Sequence, residues 1–509
     1  MKLTPRLLAA SVLLILLSAC GGGGSGGSAA IPPTDPAPPV TPPVTPPVTP
    51  PAGTDFLAVY NHCVHPRTGL GSNGLPYYDQ QGTLTDELTF LQLYIEETYL
   101  WYRELPTLNM ADYTRPVDYF AALKTPLLTA SGRAKDRFHF TYPSDVWDAM
   151  SGSGVELSYG LTWVRSTNAG VPRVWAVTLV EPNSPASAAG LLRGDRLQSV
   201  DGTGIDDSSD AGLAAINAGL FPAKAGETHK LVLVRGDQTI AVTLAAVQLA
   251  MTPVQNVKVL ATASGKVGYL QFNDHNAVSE RPLADAVSTF KAAGINDLVL
   301  DMRYNGGGYL NIASELAYMI AGPGATSGKV FERLQANDKT KPAAPQIFLS
   351  TATGYVASQI KAGTALPYLG LKRVTVLTTP GTCSASESVI NSLRGVDVEV
   401  NLIGGETCGK PYAFVPAANC GTTYFSIQVQ GVNDKGFGDY ADGFQPTCDV
   451  ADDLAHAVGD PAESLLATAL SYRANGACPA APMHNRSLAG AGAMRLVRPE
   501  VKEISIRNR

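Results

Sequence analysis

A Gly- and Pro-rich tract near the amino terminus most limits what this chain can fold into. From Gly21 the sequence is rich in Gly and Ser, and it then repeats Val-Thr-Pro-Pro between Val40 and Pro51. Such a tract buries too little apolar surface to fold and favours an extended, polyproline-like conformation. The sequence therefore predicts a tether over residues 20–54, with folded sequence beginning near Asp55.

The segment in front of this tether predicts the compartment. Residues 1–19 carry two basic side chains and then an apolar run from Leu7 to Leu17, which is typical of a secretory signal and too short for a permanent membrane span. The sequence Leu-Ser-Ala-Cys-Gly around Cys20 resembles the lipobox of bacterial lipoproteins. This resemblance implies cleavage before Cys20 and acylation of its sulfur, whereas an ordinary secretory signal would leave Cys20 for a disulfide.

The lipobox resemblance also implies a location and a membrane partner. We expect a protein of the bacterial cell envelope that is anchored to the membrane by lipid. Gly21 after the cysteine favours the outer membrane, facing the periplasm or the exterior. The charge balance argues against nucleic acid as a partner, because 38 basic residues stand against 44 acidic ones, for a formal net charge of −6.

The folded part is long enough for several domains. The chain has 509 residues, of which 45% are hydrophobic, and about 100–200 residues per domain predict two to four domains. Between Asp86 and Leu105 the apolar residues have helical spacing, and Pro106 ends the run. We expect residues 55–140 to form a small helical cap.

A longer signature lies at residues 181–202, which read Glu-Pro-Asn-Ser-Pro-Ala-Ser-Ala-Ala-Gly-Leu-Leu-Arg-Gly-Asp-Arg-Leu-Gln-Ser-Val-Asp-Gly. This stretch is similar to the SPA..AGL..GD.I..V.G sequence of the PDZ family, which implies a PDZ domain over residues 141–250. The resemblance places a loop that binds a peptide carboxylate at Tyr159, Gly160, Leu161 and Thr162, ahead of the peptide-binding strand. The alternative is a PDZ fold that serves only in packing.

Strands alternate with helices over residues 251–475, which indicates an α/β domain. A predicted buried strand from Asp297 to Met302 runs directly into Arg-Tyr-Asn-Gly-Gly-Gly. Glycines after a strand let backbone N–H groups face an anion or an oxyanion. After a later strand, Ser384 stands at a predicted helix start, where unpaired N–H groups favour a developing alkoxide. A capping box of Ser384 with Glu387 is the alternative interpretation.

Three short segments occur in a fixed order in this domain. They are Asp-Met-Arg-Tyr-Asn-Gly-Gly-Gly at 301–308, Ser-Ala-Ser-Glu at 384–387 and Gly-Gly-Glu-Thr-Cys-Gly-Lys at 404–410. They resemble the LDLR.N.GG, SASE and GE.T.GK motifs of the C-terminal processing peptidases, also called tail-specific proteases. The resemblance covers roughly residues 85–475 and implies a multidomain α+β fold with an α/β peptidase core of the ClpP/crotonase-like kind.

The same resemblance assigns roles to individual residues. It makes Ser384 the nucleophile and Lys410 the general base, it places the oxyanion hole at the N–H groups of Ala385 and the Gly307 region, and it requires no metal and no cofactor. A free lysine has a pKa of about 10.4, so Lys410 must be buried among apolar side chains to accept a proton near neutral pH. The neutral amine would take the Ser384 proton, and an acyl-enzyme would form and then be hydrolysed.

Two departures from the family pattern leave the third catalytic group open. Phe414 stands where the family often has Gln, and Pro411 follows the lysine in place of the common Gly. Because divergent relatives include Ser-His enzymes, His275 is the alternative base. Glu387 and His275 are therefore accessory candidates.

Six cysteines remain after Cys20, an even number that suits an oxidising compartment. Cys383 adjoins the proposed nucleophile and Cys408 lies two residues before the proposed base. A Cys383–Cys408 disulfide would fasten the two catalytic loops together, and Cys408–Cys420 is the rival pairing. No pair has the close spacing of a zinc site, so we expect no metal.

The chain ends in residues 476–509, which we expect to form a flexible basic tail. As a whole, the sequence predicts a serine endopeptidase that cleaves unfolded or C-terminally recognised proteins. One alternative is a non-catalytic lipoprotein that binds peptides through its PDZ and peptidase-like parts. The other is a Ser-His hydrolase that uses His275.

Overall fold

A computed structural model gives the fold and describes residues 55–71, 75–166, 172–479, 494–497 and 505–506. The predicted signal, the predicted tether and Cys20, the predicted site of lipidation, lie outside these residues. Across the described ranges, no helix combines the length and the apolar character that a membrane crossing requires.

The N-terminal region is a cap of helices with short strands. Its elements are β1 (His62–Cys63), β2 (Gln80–Gln81), α1 (Leu84–Thr98), α2 (Pro116–Ala122), β3 (Phe140–Pro143) and α3 (Ser144–Ser153). Thr83 caps α1 and forms a capping box with Asp86. The sequence predicts this helix as far as Leu105, but α1 ends at Thr98 because the backbone turns away and the N–H of Leu100 donates to Ile427 O at 2.8 Å.

The cap shares its core with the central domain. Phe90 of α1 and Phe120 of α2 belong to the same buried cluster as Phe414 and Phe425. Strand β3 completes a small sheet with two strands of residues 417–425, and the Cys63–Cys420 disulfide joins the two regions covalently. The cap therefore forms one wall of the central domain.

Residues 155–250 form what we call the small β-domain. Its elements are β4 (Val155–Ser158), β5 (Leu161–Ser166), β6 (Trp175–Val180), α4 (Pro185–Ala188), β7 (Arg196–Val200), β8 (Thr203–Gly204), α5 (Asp210–Leu220), β9 (Thr228–Arg235), β10 (Gln238–Ala245) and β11 (Val247–Ala250). The main sheet runs from β10 through β9, β7 and β6 to β5. Residues 181–202, the PDZ-like stretch, form turns of this domain, because Ser184 caps α4 and Gly190 and Gly194 adopt positive φ.

The central domain is a parallel sheet with one antiparallel edge strand, surrounded by helices. Its elements are β12 (Val254–Thr262), β13 (Gly265–Phe272), α6 (Glu280–Ala293), β14 (Asp297–Asp301), β15 (Gly308–Tyr309), α7 (Leu310–Ala321), α8 (Pro323–Thr326), β16 (Val330–Ala336), β17 (Gln346–Ile347), β18 (Arg373–Thr378), α9 (Ala385–Gly395), β19 (Glu399–Gly404), β20 (Tyr412–Ala413), β21 (Ala417–Asn419), β22 (Thr422–Phe425), β23 (Val429–Val432), β24 (Cys448–Asp449) and α10 (Ser464–Asn475). The strand order is β12-β13-β14-β18-β19-β24, and β12 is the antiparallel edge. This mixed α/β architecture confirms the coarse fold class.

Helices cover both faces of the central sheet. Leu298 and Leu300 of β14 pack with α6, α7 and α9, whereas Val299 between them packs with α10. The neighbouring parallel strands β14, β18 and β19 end side by side at one edge of the sheet. The loops that carry the three sequence motifs leave the sheet at this edge, where α/β proteins place their ligands.

The C-terminal segment, predicted to be a flexible tail, contributes two short strands within the described residues. Strand β25 (Met494–Val497) pairs with β5, and β26 (Ser505–Ile506) pairs with β15. Just after α10, Cys478 forms a disulfide with Cys448. Composition alone does not reveal these strands, because their pairing partners lie in distant parts of the sequence.

Candidate active site

A buried arginine anchors the start of the loop that follows β14. The Arg303 side chain is 1% exposed, and it contacts three carboxylates at 2.8–2.9 Å. These carboxylates belong to Asp301, Asp452 and Glu463. A buried charge requires such compensation, so Arg303 ties this loop to β14 and to the segment before α10.

Asn305 shapes the glycine part of the same loop. Its Oδ1 accepts a 2.9 Å hydrogen bond from the N–H of Gly307. Its backbone carbonyl accepts hydrogen bonds from the N–H of Cys383 and from Ser386 Oγ, both at 3.0 Å. We call the loop between β14 and β15 the glycine loop. Asn305 therefore joins the glycine loop to the loop that carries Ser384.

Ser384 lies directly against Gly307. A β-carbon built on Gly307 would come 2.8 Å from Ser384 Cβ and 2.9 Å from Ala385 N, and the φ of Gly307 is 104°. Only glycine fits this approach. The N–H of Ala385, the first residue of α9, has no acceptor one turn earlier in the helix. The N–H of Gly307 already donates to Asn305.

Ser384 occupies a strained turn between β18 and α9. It is fully buried, with φ 62° and ψ −117°, and such a conformation costs a non-glycine residue about 1–3 kcal/mol. Sharp strand-to-helix turns of this kind hold the nucleophilic serine in α/β-hydrolases. The capping box of the alternative interpretation is also present: Glu387 accepts a 2.9 Å hydrogen bond from the Ser384 N–H, and the Ser384 side chain accepts from the N–H of Glu387.

One carboxylate joins two loops: the serine loop, which lies between β18 and α9 and carries Ser384, and the lysine loop, which lies between β19 and β20 and carries Lys410. Oε2 of the fully buried Glu387 accepts hydrogen bonds from the N–H of Ser384 at 2.9 Å and the N–H of Lys410 at 2.8 Å. Oε1 accepts from the N–H of Gly409 at 2.9 Å and the hydroxyl of Thr407 at 2.5 Å. Burial raises the pKa of Glu387 above its ordinary range, although these hydrogen bonds favour the ionised form. Glu387 therefore links the backbone of the loop that carries Ser384 to that of the loop that carries Lys410.

The Cys383–Cys408 disulfide makes the same connection covalently, with Cα atoms 5.1 Å apart. The hypothesised pairing is thus formed, and the rival Cys408–Cys420 is not, because Cys420 bonds Cys63. Among the described residues, Cys383, Cys408 and Glu387 lie close enough together to resemble a metal site. The disulfide removes the two thiolates that would bind the ion.

Lys410 is buried among aromatic side chains. It is 1% exposed, and its Nζ lies 4.1 Å from the ring centre of Phe414 and 5.2 Å from that of Phe138. Phe414, in the position where Gln is common in the family, supplies an apolar wall. Phe138 belongs to the cap, where Arg137 also donates to Cys408 O at 3.0 Å. The cap thereby keeps bulk water from the amine.

His275 supports the glycine loop. Its Nδ1 lies 3.0 Å from Asn305 Oδ1, and its backbone N–H donates to Gly307 O at 3.1 Å. Nε2 has no hydrogen-bond partner among the described residues. Complete burial lowers the pKa of His275 to about 3, so the ring is neutral at physiological pH.

The residues predicted to bind a peptide carboxylate lie at the start of β5. Tyr159 packs in the core of the small β-domain, and Leu161 and Thr162 pair with β6. Gly160 has a φ of 85°, and a β-carbon there would come 2.2 Å from Ser184 Cβ. The loop is therefore packed tightly against the signature stretch.

Three further residues of the site were missed by the sequence reasoning: Asn305, Phe138 and Arg137. Asn305 has a sequence signal, since it is the asparagine of the LDLR.N.GG-like segment. Phe138 and Arg137 have none, because they reach the lysine loop from the cap through tertiary packing.

Fold and site together define a class of protein. A buried serine at a strained strand-to-helix turn, beside a glycine loop and a loop with a buried lysine, is typical of serine hydrolases with an α/β core. Residues 266–442 match the family model of Peptidase family S41. Within the central domain, the chain is therefore similar to this peptidase family.

The chain is also similar to curated C-terminal processing peptidases. It is 27% identical over 263 residues to the chloroplastic carboxyl-terminal-processing peptidase 2 of Arabidopsis thaliana, covering 50% of this chain and 48% of that protein. It is 28% identical over 202 residues to the carboxyl-terminal-processing protease of Picosynechococcus sp. (strain ATCC 27264 / PCC 7002 / PR-6), covering 37% of this chain and 46% of that protein. The chain spans about half the length of the curated relatives it matches.

Among solved structures, the chain is similar to an S41 protease from Bacteroides fragilis NCTC 9343. The TM-score is 0.59 at 25% sequence identity, over 76% of this chain and 97% of that one. This coverage is wider than the segment that the family model matches, so the similarity of fold reaches beyond the central domain.

Proposed function

We propose that this protein is a serine endopeptidase of the C-terminal processing type, which cleaves unfolded or C-terminally recognised proteins through a Ser-Lys acyl-enzyme mechanism. One observation carries the proposal: a single carboxylate and a disulfide hold the loops of Ser384 and Lys410 together, beside Gly307. The relatives named for carboxyl-terminal processing support the substrate class.

In this mechanism Lys410 is the general base. A lysine accepts a proton near neutral pH only when it is removed from bulk water, and the Lys410 side chain is 1% exposed. The neutral amine takes the proton of Ser384 Oγ as the oxygen attacks the scissile carbonyl, and it returns that proton to the leaving amine. Water then hydrolyses the acyl-enzyme, with Lys410 again accepting a proton.

The oxyanion of each tetrahedral intermediate is stabilised by the N–H groups of Ala385 and Gly307. A well-placed donor contributes about 3 kcal/mol to such a step. Because the N–H of Gly307 donates to Asn305 Oδ1 in the described structure, its contribution requires the amide to shift from the asparagine toward the substrate.

The Ser-His alternative has less support. A base with a pKa of about 3, as burial gives His275, accepts a proton from serine poorly at neutral pH. Its contacts with Asn305 and Gly307 are those of a residue that supports the glycine loop.

The test compares Ser384→Ala and Lys410→Ala with the parent on a permanently unfolded protein substrate. We expect each variant to lose at least about a thousandfold in rate. Ser392→Ala is the matched control, because Ser392 is a buried serine of the same helix whose hydroxyl donates to Phe331 O. Parental rates in both catalytic variants would favour the non-catalytic peptide-binding alternative, and loss in His275→Ala but not in Lys410→Ala would favour the Ser-His alternative.

We also propose that the protein is a lipoprotein of the bacterial envelope, anchored through Cys20 and the tether. The lipobox-like sequence and the apolar run before it support this location. Expression in a bacterium with labelled palmitate should label the parent and place it in the membrane fraction. Cys20→Ala should abolish the label, and labelling that persists in this variant would contradict the proposal.

A further inference from the structure

The C-terminal segment adds strands to two different sheets. Strand β25 pairs antiparallel with β5, which places Arg495 opposite Arg165 and Val497 opposite Trp163. Strand β26 pairs in parallel with β15, which places Ser505 opposite Gly308. One segment of chain thus contacts the small β-domain and the central domain.

The first of these pairings occupies the predicted peptide-binding edge. Strand β5 follows the loop of Tyr159 and Gly160, and β25 lies on its outer side as the last strand of the sheet. Val497 packs against the core of the small β-domain. PDZ domains, which residues 181–202 resemble in sequence, bind extended peptides by adding an antiparallel strand to a sheet edge.

The same strand reaches the serine loop. A β-carbon built on Gly381, three residues before Ser384, would lie 3.2 Å from Leu496 Cδ2. Leu496 and Val497 are neighbours in an extended strand, so their side chains point to opposite faces. Strand β25 therefore bridges the small β-domain and the proposed catalytic loop.

The second pairing lies beside the proposed active site. Strand β26 runs along Gly308–Tyr309, which directly follow Gly307. Its Cα atoms also come within 8 Å of those of Tyr412–Ala413, which follow the loop of Lys410. The backbone of β26 thus lies close to the two short strands that follow the glycine loop and the lysine loop.

We propose that the two C-terminal strands, β25 and β26, together act as an internal competitive ligand of this protein. Strand β25 occupies the predicted peptide-binding edge of the small β-domain, strand β26 pairs beside the glycine loop at Gly308, and both must leave before a protein substrate binds. This inference rests on the proposed peptidase function for its effect on rate, but not for the binding itself.

The pairing of β25 with β5 places two like charges opposite each other. Arg495 and Arg165 stand directly opposite each other and are both exposed. Like charges at directly opposed positions destabilise an antiparallel pair. This pair weakens the binding of β25 to β5, so a substrate strand with a neutral or acidic residue at this position would compete with it for the same edge.

The first test removes the segment. A chain ending at Pro479 keeps Cys478 for its disulfide and lacks both strands. We expect a higher initial rate on an unfolded protein, and inhibition of the truncated enzyme by a synthetic peptide of residues 490–509 that raises KM and leaves kcat unchanged. Leu496→Asp in the full chain should raise the rate in the same direction, which guards against a truncation that fails to fold.

The second test uses charge reversal and needs no activity. In the truncated Ser384→Ala protein, the Arg495→Glu peptide should bind about fivefold more tightly than the native peptide, as measured by fluorescence anisotropy. Arg165→Glu in the protein should strengthen binding of the native peptide similarly, and combining both reversals should cancel the gain. A scrambled peptide of the same composition is the control.

The outcomes separate this inference from the proposed function. If the peptide binds with the expected charge pattern but no variant cleaves protein, the internal ligand stands and the peptidase function fails. If the parent cleaves protein while truncation and Leu496→Asp leave the rate unchanged and the peptide does not bind, the internal ligand is wrong and the peptidase function stands.

Discussion

Glu387 accepts a 2.8 Å hydrogen bond from the backbone N–H of Lys410, across 23 positions of sequence. The same oxygen accepts from the N–H of Ser384 at 2.9 Å. The proposed base and nucleophile therefore depend on one buried carboxylate for their relative position, although neither of their side chains is the donor in these two bonds.

Glu387→Gln tests this dependence. Replacing one carboxylate oxygen by an amide leaves buried N–H donors without an acceptor, which costs about 1–3 kcal/mol of stability for each. We expect kcat to fall about 100-fold, because small displacements of reacting groups have effects of this size, while KM changes little. Steady-state kinetics and urea unfolding measure the two effects. Glu399→Gln, at an exposed glutamate of β19, is the control and should match the parent.

Loss of the Cys383–Cys408 disulfide should separate the serine and lysine loops. Closure of a loop with a sequence separation of 25 residues stabilises a protein by about 3 kcal/mol. We expect the double variant Cys383→Ser with Cys408→Ser to lose stability of this order and most of its activity. Cys448→Ser with Cys478→Ser should lose stability but keep its kcat. Equal activity of the first variant and the parent, in assays well below the unfolding temperature, would contradict the proposed role.

Gly307→Ala should abolish activity. The added methyl group would come 2.8 Å from Ser384 Cβ at a φ of 104°, so the serine loop or the glycine loop must move. Overpacking of this kind costs about 1–3 kcal/mol. Gly324→Ala, where a β-carbon meets no atom within 4 Å, is the matched control and should retain activity. Circular dichroism and active-site titration with a serine-reactive phosphonate check fold and nucleophile separately.

The free energy of unfolding should vary with pH because Glu332 ionises. This buried carboxyl contacts Ser388 of α9 at 3.0 Å, and burial raises its pKa to about 7, above the value of about 4.3 in an unfolded chain. The folded state therefore binds the proton more tightly than the unfolded chain does. The protonated carboxyl adds to the free energy of unfolding below about pH 4, and this contribution is lost as the pH rises toward 7. We expect the parent to lose on the order of 3 kcal/mol relative to Glu332→Gln across this window. Urea unfolding of both proteins at several pH values measures the difference, and parallel curves would contradict it.

Sequence reasoning worked best where the cause of structure is local. The turns of residues 181–202 follow from Ser184, Gly190 and Gly194, whose effects reach only a few positions. The glycine loop after β14 follows similarly from its own residues. The end of α1 at Thr98 could not be predicted, because it depends on a hydrogen bond between Leu100 and the distant Ile427.

The parts of the site that were missed depend on long-range contacts. Phe138 is one aromatic residue among many in the cap, and only the folded chain brings it to Lys410. Strands β25 and β26 lie in a segment rich in Ala, Gly and Arg, whose composition predicts flexibility. Their pairing depends on the free edges of β5 and β15, which exist only after the rest of the protein has folded.

The disulfide between Cys63 and Cys420 has a consequence for the order of events during biosynthesis. Its two sulfurs are 357 positions apart, so α1, the small β-domain and most of the central sheet lie inside one covalent ring. The ring cannot close until residue 420 has been synthesised and has reached an oxidising compartment. Maturation of the cap therefore waits for nearly the whole chain, and a product truncated before residue 420 would keep Cys63 without its disulfide partner.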